Sequence, residues 1–202
     1  MKIEAQIHDI TQQPAPALAV GLFQDEPVEA QTTAQALDRA LAGQLKMLRD
    51  EGDFRARSHD VLVHYPTPSQ PIRRLILVGL GKQEDLTKET LREASALAAK
   101  KARELGVKTL HTVLHSTDRS IVPLQDGAEA VTEGAQLGLY RFREFKTQDK
   151  DLRPDPDTLV LVGSDEEERD PTEVGIDIGS HIASATILAR DLVNRPSNTA
   201  TP

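Results

Sequence analysis

The sequence predicts an α/β fold, a mixed β-sheet sandwiched between helices and followed by a long C-terminal helix. Three observations carry that prediction. Short apolar runs typical of buried strands alternate along the chain with stripes of helical period. One stretch, Arg74–Leu114, reads strand, glycine turn, helix, glycine stop and strand, the pattern of a βαβ unit with a right-handed crossover. The last apolar stripe, from Val174 to Leu192, is long enough for a helix of roughly 30–35 Å.

Taken in order, Lys2–Ile7 alternates, with Ile3, Ala5 and Ile7 on one face, and Leu18–Phe23 is a continuous apolar run; both read as strands. Pro14 and Pro16 force a loop between them. Thr32 with Gln35 resembles a capping box, opening one helix whose inner stripe is Leu37, Leu41, Leu45 and Leu48 and which ends at Glu51-Gly52. Phe54–Tyr65 is strand-like, and Pro66, Pro68 and Pro71 make a turn. The apolar strand Arg74–Val78 runs into Gly79-Leu80-Gly81-Lys82. A helix from about Thr87 buries Leu91, Ala94, Ala98, Ala102 and Leu105 and stops at Gly106, and Lys108–Leu114 is the next strand.

A helix over Pro123–Phe142 comes next, with Ala128, Val131, Ala135, Gly138 and Phe142 on its stripe. Its Gly134 and Gly138 cost about 1 kcal/mol each against alanine, which close packing on a neighbour would offset. Lys146–Asp157 is a polar excursion and Thr158–Val162 the last strand. Asp170 as N-cap with Pro171 at the first helical position starts the final helix. Its expected buried stripe is Val174, Ile178, Ile182, Ala185, Ala189 and Leu192, and it reaches Val193 or Asn194. The division is therefore an α/β domain over 1–171 and, over 172–202, the final helix with the start of an extended segment.

Composition narrows the function classes. The 202 residues include no cysteine, which excludes disulfides, thiolate zinc sites and a cysteine nucleophile. A net charge of −8, with 24 basic and 32 acidic side chains, disfavours nucleic acid as a partner, and the absence of Trp leaves little for base stacking. The N-terminus has no apolar core of a signal peptide and no run approaches a membrane span, so a cytoplasmic location without membrane attachment is expected.

Candidate chemistry is sparse. Gly79–Lys82 lies between strand and helix as a phosphate loop would, but it matches neither GxGxxG nor the P-loop pattern and reads as a tight connection. His111 and His115 lack the glutamate of HExxH, and on a strand they would stand roughly 13 Å apart, too far for one metal. Asp165–Glu168 reads as a solvated acidic loop, and no serine lies in GxSxG. At the helix end, Arg190 complements the dipole, Asn194 caps, and Pro196 prevents continuation.

Three stretches together bear a resemblance. ARDLVNRPSN at 189–198, with Thr201-Pro202 beyond, resembles the A-R-D-L-x-N-x-P-x-N…TP segment of the leucyl aminopeptidase (cytosol aminopeptidase, M17) family. LILVGLGK at 75–82 is similar to that family's strand and glycine turn. Glu133-Gly134 through Tyr140, Phe142 and Phe145-Lys146 is similar to its E-G-x-x-L-x-x-Y-x-F helix.

The resemblance implies an N-terminal domain with a macrodomain-like fold, joined by its long helix to a C-terminal catalytic domain. It implies homohexamers and an active site of two divalent metals, usually zinc, with manganese or magnesium exchangeable. A metal-bridged water there attacks the peptide carbonyl after an N-terminal residue. The family's metal ligands and catalytic lysine and arginine lie in the catalytic domain, and its N-T-D-A-E-G-R-L signature is absent from these 202 residues. No catalytic, cofactor-binding or metal-binding residue is therefore assigned here, no cofactor is expected in this chain, and the chain alone is expected to be inactive. Arg190, Asp191, Asn194, Pro196 and Asn198 are the expected joint between the domains. The rival expectation is a stand-alone macrodomain-like module binding a nucleotide, ADP-ribose or DNA, with a nucleotide site near Gly79–Lys82.

Overall fold

The computed structural model describes residues 1–144 and 153–196. Six strands form one mixed sheet: β1 (Lys2–Ile7), β2 (Leu18–Leu22), β3 (Val61–His64), β4 (Leu75–Gly79), β5 (Thr109–Thr112) and β6 (Thr158–Gly163). Their spatial order is β1-β6-β5-β2-β4-β3. All pairs are parallel except β3 with β4. The helices are α1 (Thr32–Ala40), α2 (Gln44–Asp50), α3 (Lys88–Glu104), α4 (Leu124–Leu139) and α5 (Arg169–Asn194).

β2 and β4 are apolar and buried at every position because both faces are covered. Leu18, Val20, Leu22, Leu75 and Leu77 pack with Leu37, Leu41, Leu45 and Leu48 on the α1–α2 side. Ala19, Ile76, Val78, Leu110, Leu159 and Leu161 pack with Leu91, Ala98, Val131 and Ile176 on the α3–α4–α5 side. The expected sandwich and its two apolar periods are thus realised. β4 and β5, read as one βαβ unit, run parallel but are not neighbours, since β2 lies between them.

Several boundaries differ from the expectation, each for a local reason. The leucine stripe is shared by two helices, since Ala42 (φ 54°) and Gly43 (φ 82°) turn the chain left-handed between α1 and α2. Thr32 makes no capping box; Gln31 precedes the first turn, and the Gln35 amide donates instead to the Glu29 carbonyl at 2.9 Å. The capping box is formed at α3, where the Thr87 and Thr90 hydroxyls reciprocally bond each other's backbone amides. Positive φ at Ala56 and His59 keeps Phe54–Asp60 out of β3. α4 ends at Leu139, leaving Phe142 beyond it.

The largest departure concerns α5. Glu166–Glu168 already form a 3-10 turn capped by Asp165, whose carboxylate accepts from the Glu167 amide at 3.1 Å, so the helix begins at Arg169 and Asp170 lies inside its first turn. The side facing the domain is Thr172, Gly175, Ile176, Gly179 and Ala183, while Val174, Ile178, Ile182, Ala185, Ala189 and Leu192 are exposed. The reason is backbone proximity. A Cβ at Gly175 would overlap the Gln125 carbonyl oxygen, and one at Gly179 would stand 2.6 Å from that of Glu129. Only residues with little or no side chain let α5 lie this close to α4, and the bulkier stripe is turned away. Gly134 does the same between α4 and α3, where a Cβ would overlap the Arg92 carbonyl oxygen.

Gly134→Ala is therefore expected to destabilise the protein by about 1–3 kcal/mol through overpacking, despite alanine's better helix propensity. Urea unfolding of the purified chain measures this, and an unchanged midpoint would contradict the close α3–α4 approach.

Candidate functional site

Two places gather polar side chains. The first is a cleft of about 790 Å³ at the C-terminal ends of the parallel strands. β5 pairs with β2 only at Leu18–His111 and Ala19–Thr112, then leaves the sheet in a 3-10 turn, Leu114–Ser116, while β2 continues beside β4. Chain connections leave β2 and β5 toward opposite faces, so the opening lies at a topological switch point, the general ligand crevice of open α/β sheets. His8, Asp9, Glu26, Gln31, Thr33, Gln83, Asp118, Arg119 and Ser164 line it among apolar side chains.

Its electrostatics are acidic. Asp9 is held below the usual carboxylate range by hydrogen bonds from the Thr11 amide and hydroxyl. Asp118 is also lowered, chiefly by the Ser120 hydroxyl. Arg119, the one arginine among the described residues of the lining, is already paired with Glu168. Glu168 is 5% exposed: burial opposes its ionisation, but the Ser164 amide and hydroxyl and Arg119 outweigh that and lower its pKa. The acidic loop is thus only partly solvated, with Glu168 turned inward.

The glycine turn does not form a phosphate cradle. The amides of Gly79 and Gly81 donate to the carbonyls of Asp60 (2.8 Å) and Ala56 (3.1 Å), and Lys82 pairs with Glu84 at 3.2 Å. A Cβ at Gly79 would overlap the Arg57 carbonyl oxygen, so glycine is required there for close approach of the 56–60 segment.

Among the histidines, His111 stacks obliquely on His8, with ring centroids 6.1 Å apart, a contact between the ends of β1 and β5 that sequence spacing does not reveal. Burial, then His8, lowers the His111 pKa. His115 is fully buried, and desolvation pushes its pKa down to about 4. Among the described residues, no group of three or more His, Asp or Glu side chains could hold a metal ion.

The second place is the C-terminal end of α5. Three of the expected joint residues converge on Tyr140, the C-cap residue just after α4. The Tyr140 hydroxyl donates to Asp191 at 2.7 Å, the Arg190 guanidinium lies 5.6 Å from the ring centroid, and the Asn194 amide reaches the hydroxyl at 3.4 Å. Asn194 also caps the Arg190 carbonyl at 2.8 Å. Desolvation and the Asp191 bond raise the Tyr140 pKa. Arg195, which no sequence pattern singles out, bonds Glu144 at 2.7 Å. Pro196 follows the C-cap residue Arg195, and Asn198 lies outside the described residues. Tyr140 is the centre that spacing alone did not indicate, because it is 51 residues from Asp191 in sequence.

The fold is that of the macrodomains: an Oceanobacillus iheyensis macrodomain superposes over 91% of this chain and 93% of its own (TM-score 0.63, 13% identity). A Trypanosoma brucei macrodomain in complex with ADP does so over 87% and 69% (TM-score 0.63, 14% identity).

Family membership comes from closer relatives. The model of the cytosol aminopeptidase family N-terminal domain matches residues 19–149, and the chain belongs to that family. A probable cytosol aminopeptidase of Thermosynechococcus vestitus is 36% identical over 92% of this chain and 36% of its own length. One of Alkaliphilus oremlandii is 30% identical over 100% and 40%. Tomato leucine aminopeptidase superposes on the whole chain and 40% of its own (TM-score 0.79, 26% identity). The bottromycin maturation enzyme BotP in complex with Mn superposes on 93% of this chain and 34% of its own (TM-score 0.68, 29% identity). The chain spans about two fifths or less of the length of these relatives.

The depressed His115 pKa has a testable consequence. The unfolded chain binds a proton near the ordinary 6.5 and the folded one only near 4, so this contribution is intact above pH 6.5 and is lost as pH falls toward 4. The loss amounts to on the order of 3 kcal/mol. His115→Gln should flatten the stability profile in that window, measured by urea unfolding at successive pH values; an unaltered slope would contradict the assignment. Glu168 acts lower, its stabilisation being lost as pH falls from its ordinary 4.5 through its lowered value.

Proposed function

We propose that this chain is the non-catalytic N-terminal domain of a leucyl aminopeptidase, an exopeptidase that releases N-terminal residues from peptides, leucine preferred. The observation that carries the reading is the match of residues 19–149 to the family's N-terminal domain, supported by relatives aligned along the whole chain. In this reading residues 1–171 are the α/β domain and 172–202 the linker helix with the beginning of the inter-domain segment. Two divalent metals, zinc, manganese or magnesium, belong to the catalytic part, where they would activate the attacking water. The domain contributes to assembly of a cytoplasmic homohexamer and to access to the active site.

The role of Arg190, Asp191, Asn194, Pro196 and Asn198 is to fix the angle at which the catalytic domain leaves α5. The geometry supports this, since three of them share Tyr140 as their anchor on α4. A hydroxyl that holds a carboxylate while an arginine lies over the ring restrains the helix end in both tilt and rotation. Tyr140→Phe is expected to leave the fold of the domain intact and, in the complete enzyme, to lower kcat/KM about 3- to 10-fold by loosening the joint. Equal kinetics in the two enzymes would remove Tyr140 from that role.

The purified 202-residue chain is expected to show no hydrolysis of leucine amide with added manganese, while the longer enzyme is active. Turnover by the chain alone would overturn the division of labour. The cleft at the strand ends favours a second reading as a nucleotide or ADP-ribose site by its position, yet its carboxylates oppose an anionic ligand. Calorimetry at millimolar ADP-ribose is expected to show no binding, and a saturable heat would establish that reading instead.

A further inference from the structure

The exposed stripe of α5 has a composition and a direction. Within one sector of the helix, about 100° wide, the residues from 174 to 193 are Val174, Ile178, Ile182, Ala185, Ala189, Leu192 and Val193, with Gly175 at its edge and no polar side chain. The sector runs roughly 27 Å along the helix. An uninterrupted apolar face of that length is unusual on a free soluble surface and marks an interface.

Its exposure is greatest at the C-terminal end, Val174 and Ile178 at its start being 46% and 36% exposed. Ile182 is 41% exposed, Leu192 51% and Val193 86%, and no described residue of α5 is buried after Ala183. The last eleven residues, Ser184–Asn194, thus hold no fully buried residue, Thr186, Ile187 and Asp191 being half-buried on the side anchored at Tyr140. The face is least covered where the chain leaves the fold. The polypeptide beyond α5 is thus best placed to cover it, and the family's relatives are about two and a half times as long, with this match at their N-terminal domain. Ile178, Ile182, Ala185, Ala189 and Leu192 also recur at intervals of 4, 3, 4 and 3, the spacing with which one helix seats against another. The alanines at its middle permit close approach.

We infer that this stripe is the docking face for a helix of the catalytic domain of the same polypeptide, an inference that rests on the proposed function. The polar cluster at Tyr140 fixes the exit of the chain, and the stripe supplies the apolar contact that holds the two domains together. Covalent linkage gives the second domain a high effective concentration, so a face of modest area suffices.

The chain has no cysteine, which makes thiol labelling site-specific. Ile182→Cys and Leu192→Cys are placed singly in the 202-residue chain and in the complete enzyme, and the rate of maleimide addition at each site is followed by peptide mass spectrometry. Circular dichroism of the chain confirms folding, and Leu192→Cys, at an exposed position near the helix end, serves if Ile182→Cys does not fold. Rapid labelling in the chain, with labelling at least 20-fold slower in the complete enzyme at every enzyme concentration, is the expected result. Equal rates in both proteins would overturn the inference. Protection within the 202-residue chain that rises with its concentration would overturn it in favour of a second copy, as would protection of the enzyme that vanishes on dilution to monomers. Leucine amide hydrolysis by the complete enzyme is measured separately, so failure of the functional reading shows as an inactive enzyme and failure of the docking inference as an unprotected site in an active one.

Discussion

The close approach of α3, α4 and α5 is the constraint on which the rest of the structure depends. At Gly134, Gly175 and Gly179 the backbone of one helix meets carbonyl oxygens of its neighbour at distances that a Cβ would not allow. Once the helices are this near, short polar links between them become possible. Ser95 donates to the Val131 carbonyl at 2.6 Å, and Arg92 and Lys88 of α3 reach Glu133 and Glu129 of α4 at 2.9 and 2.7 Å. Glu133 is buried, and a carboxylate can be buried there because its partner is fixed at the right distance. The layer is thus held by backbone proximity and by ion pairs across it, with many more buried alanines than the opposite α1–α2 layer, where leucines do the filling.

The same constraint determines how α5 relates to function. A helix carrying two low-polarity faces can bury only one against α4, and the face with glycines wins because it admits the shorter interhelical distance. The bulkier face is then turned outward, continuous to the helix end, beside the Tyr140 cluster. The cleft at the opposite feature of the fold, between β2 and β5, arises from a different cause, the early departure of β5 from the sheet. Position alone gives that cleft the geometry of a ligand crevice, while Asp9, Asp118 and the pairing of Arg119 with Glu168 give it an acidic interior.

Much of the fold was legible locally. Strands with both faces apolar, the Thr87 start of α3, the αL stop at Gly106 (φ 67°) and the compensating contact at Gly134 derive from side-chain period and backbone chemistry at single positions. Two helix starts departed from their local motifs for a common reason. Thr32 with Gln35 has the residues of a capping box, yet Gln35 finds the Glu29 carbonyl first. Asp170-Pro171 has the residues of a helix start, yet Asp165 begins the helical turn earlier and Glu168 turns inward to Ser164 and Arg119. In each case a competing partner from outside the local window was stronger than the local motif.

By itself the sequence determined the fold class, the family resemblance, the apolar stripes and the identities of Arg190, Asp191 and Asn194 at the helix end. Only the tertiary structure decided which stripe of α5 is buried, that Tyr140 gathers those three residues, and that His8 meets His111. The physical reason is that hydrophobic period records which residues share a face, not what that face meets. The choice between two faces depends on how closely the neighbouring helix can approach, and contacts such as Tyr140 with Asp191 join residues whose separation along the chain leaves no periodic trace.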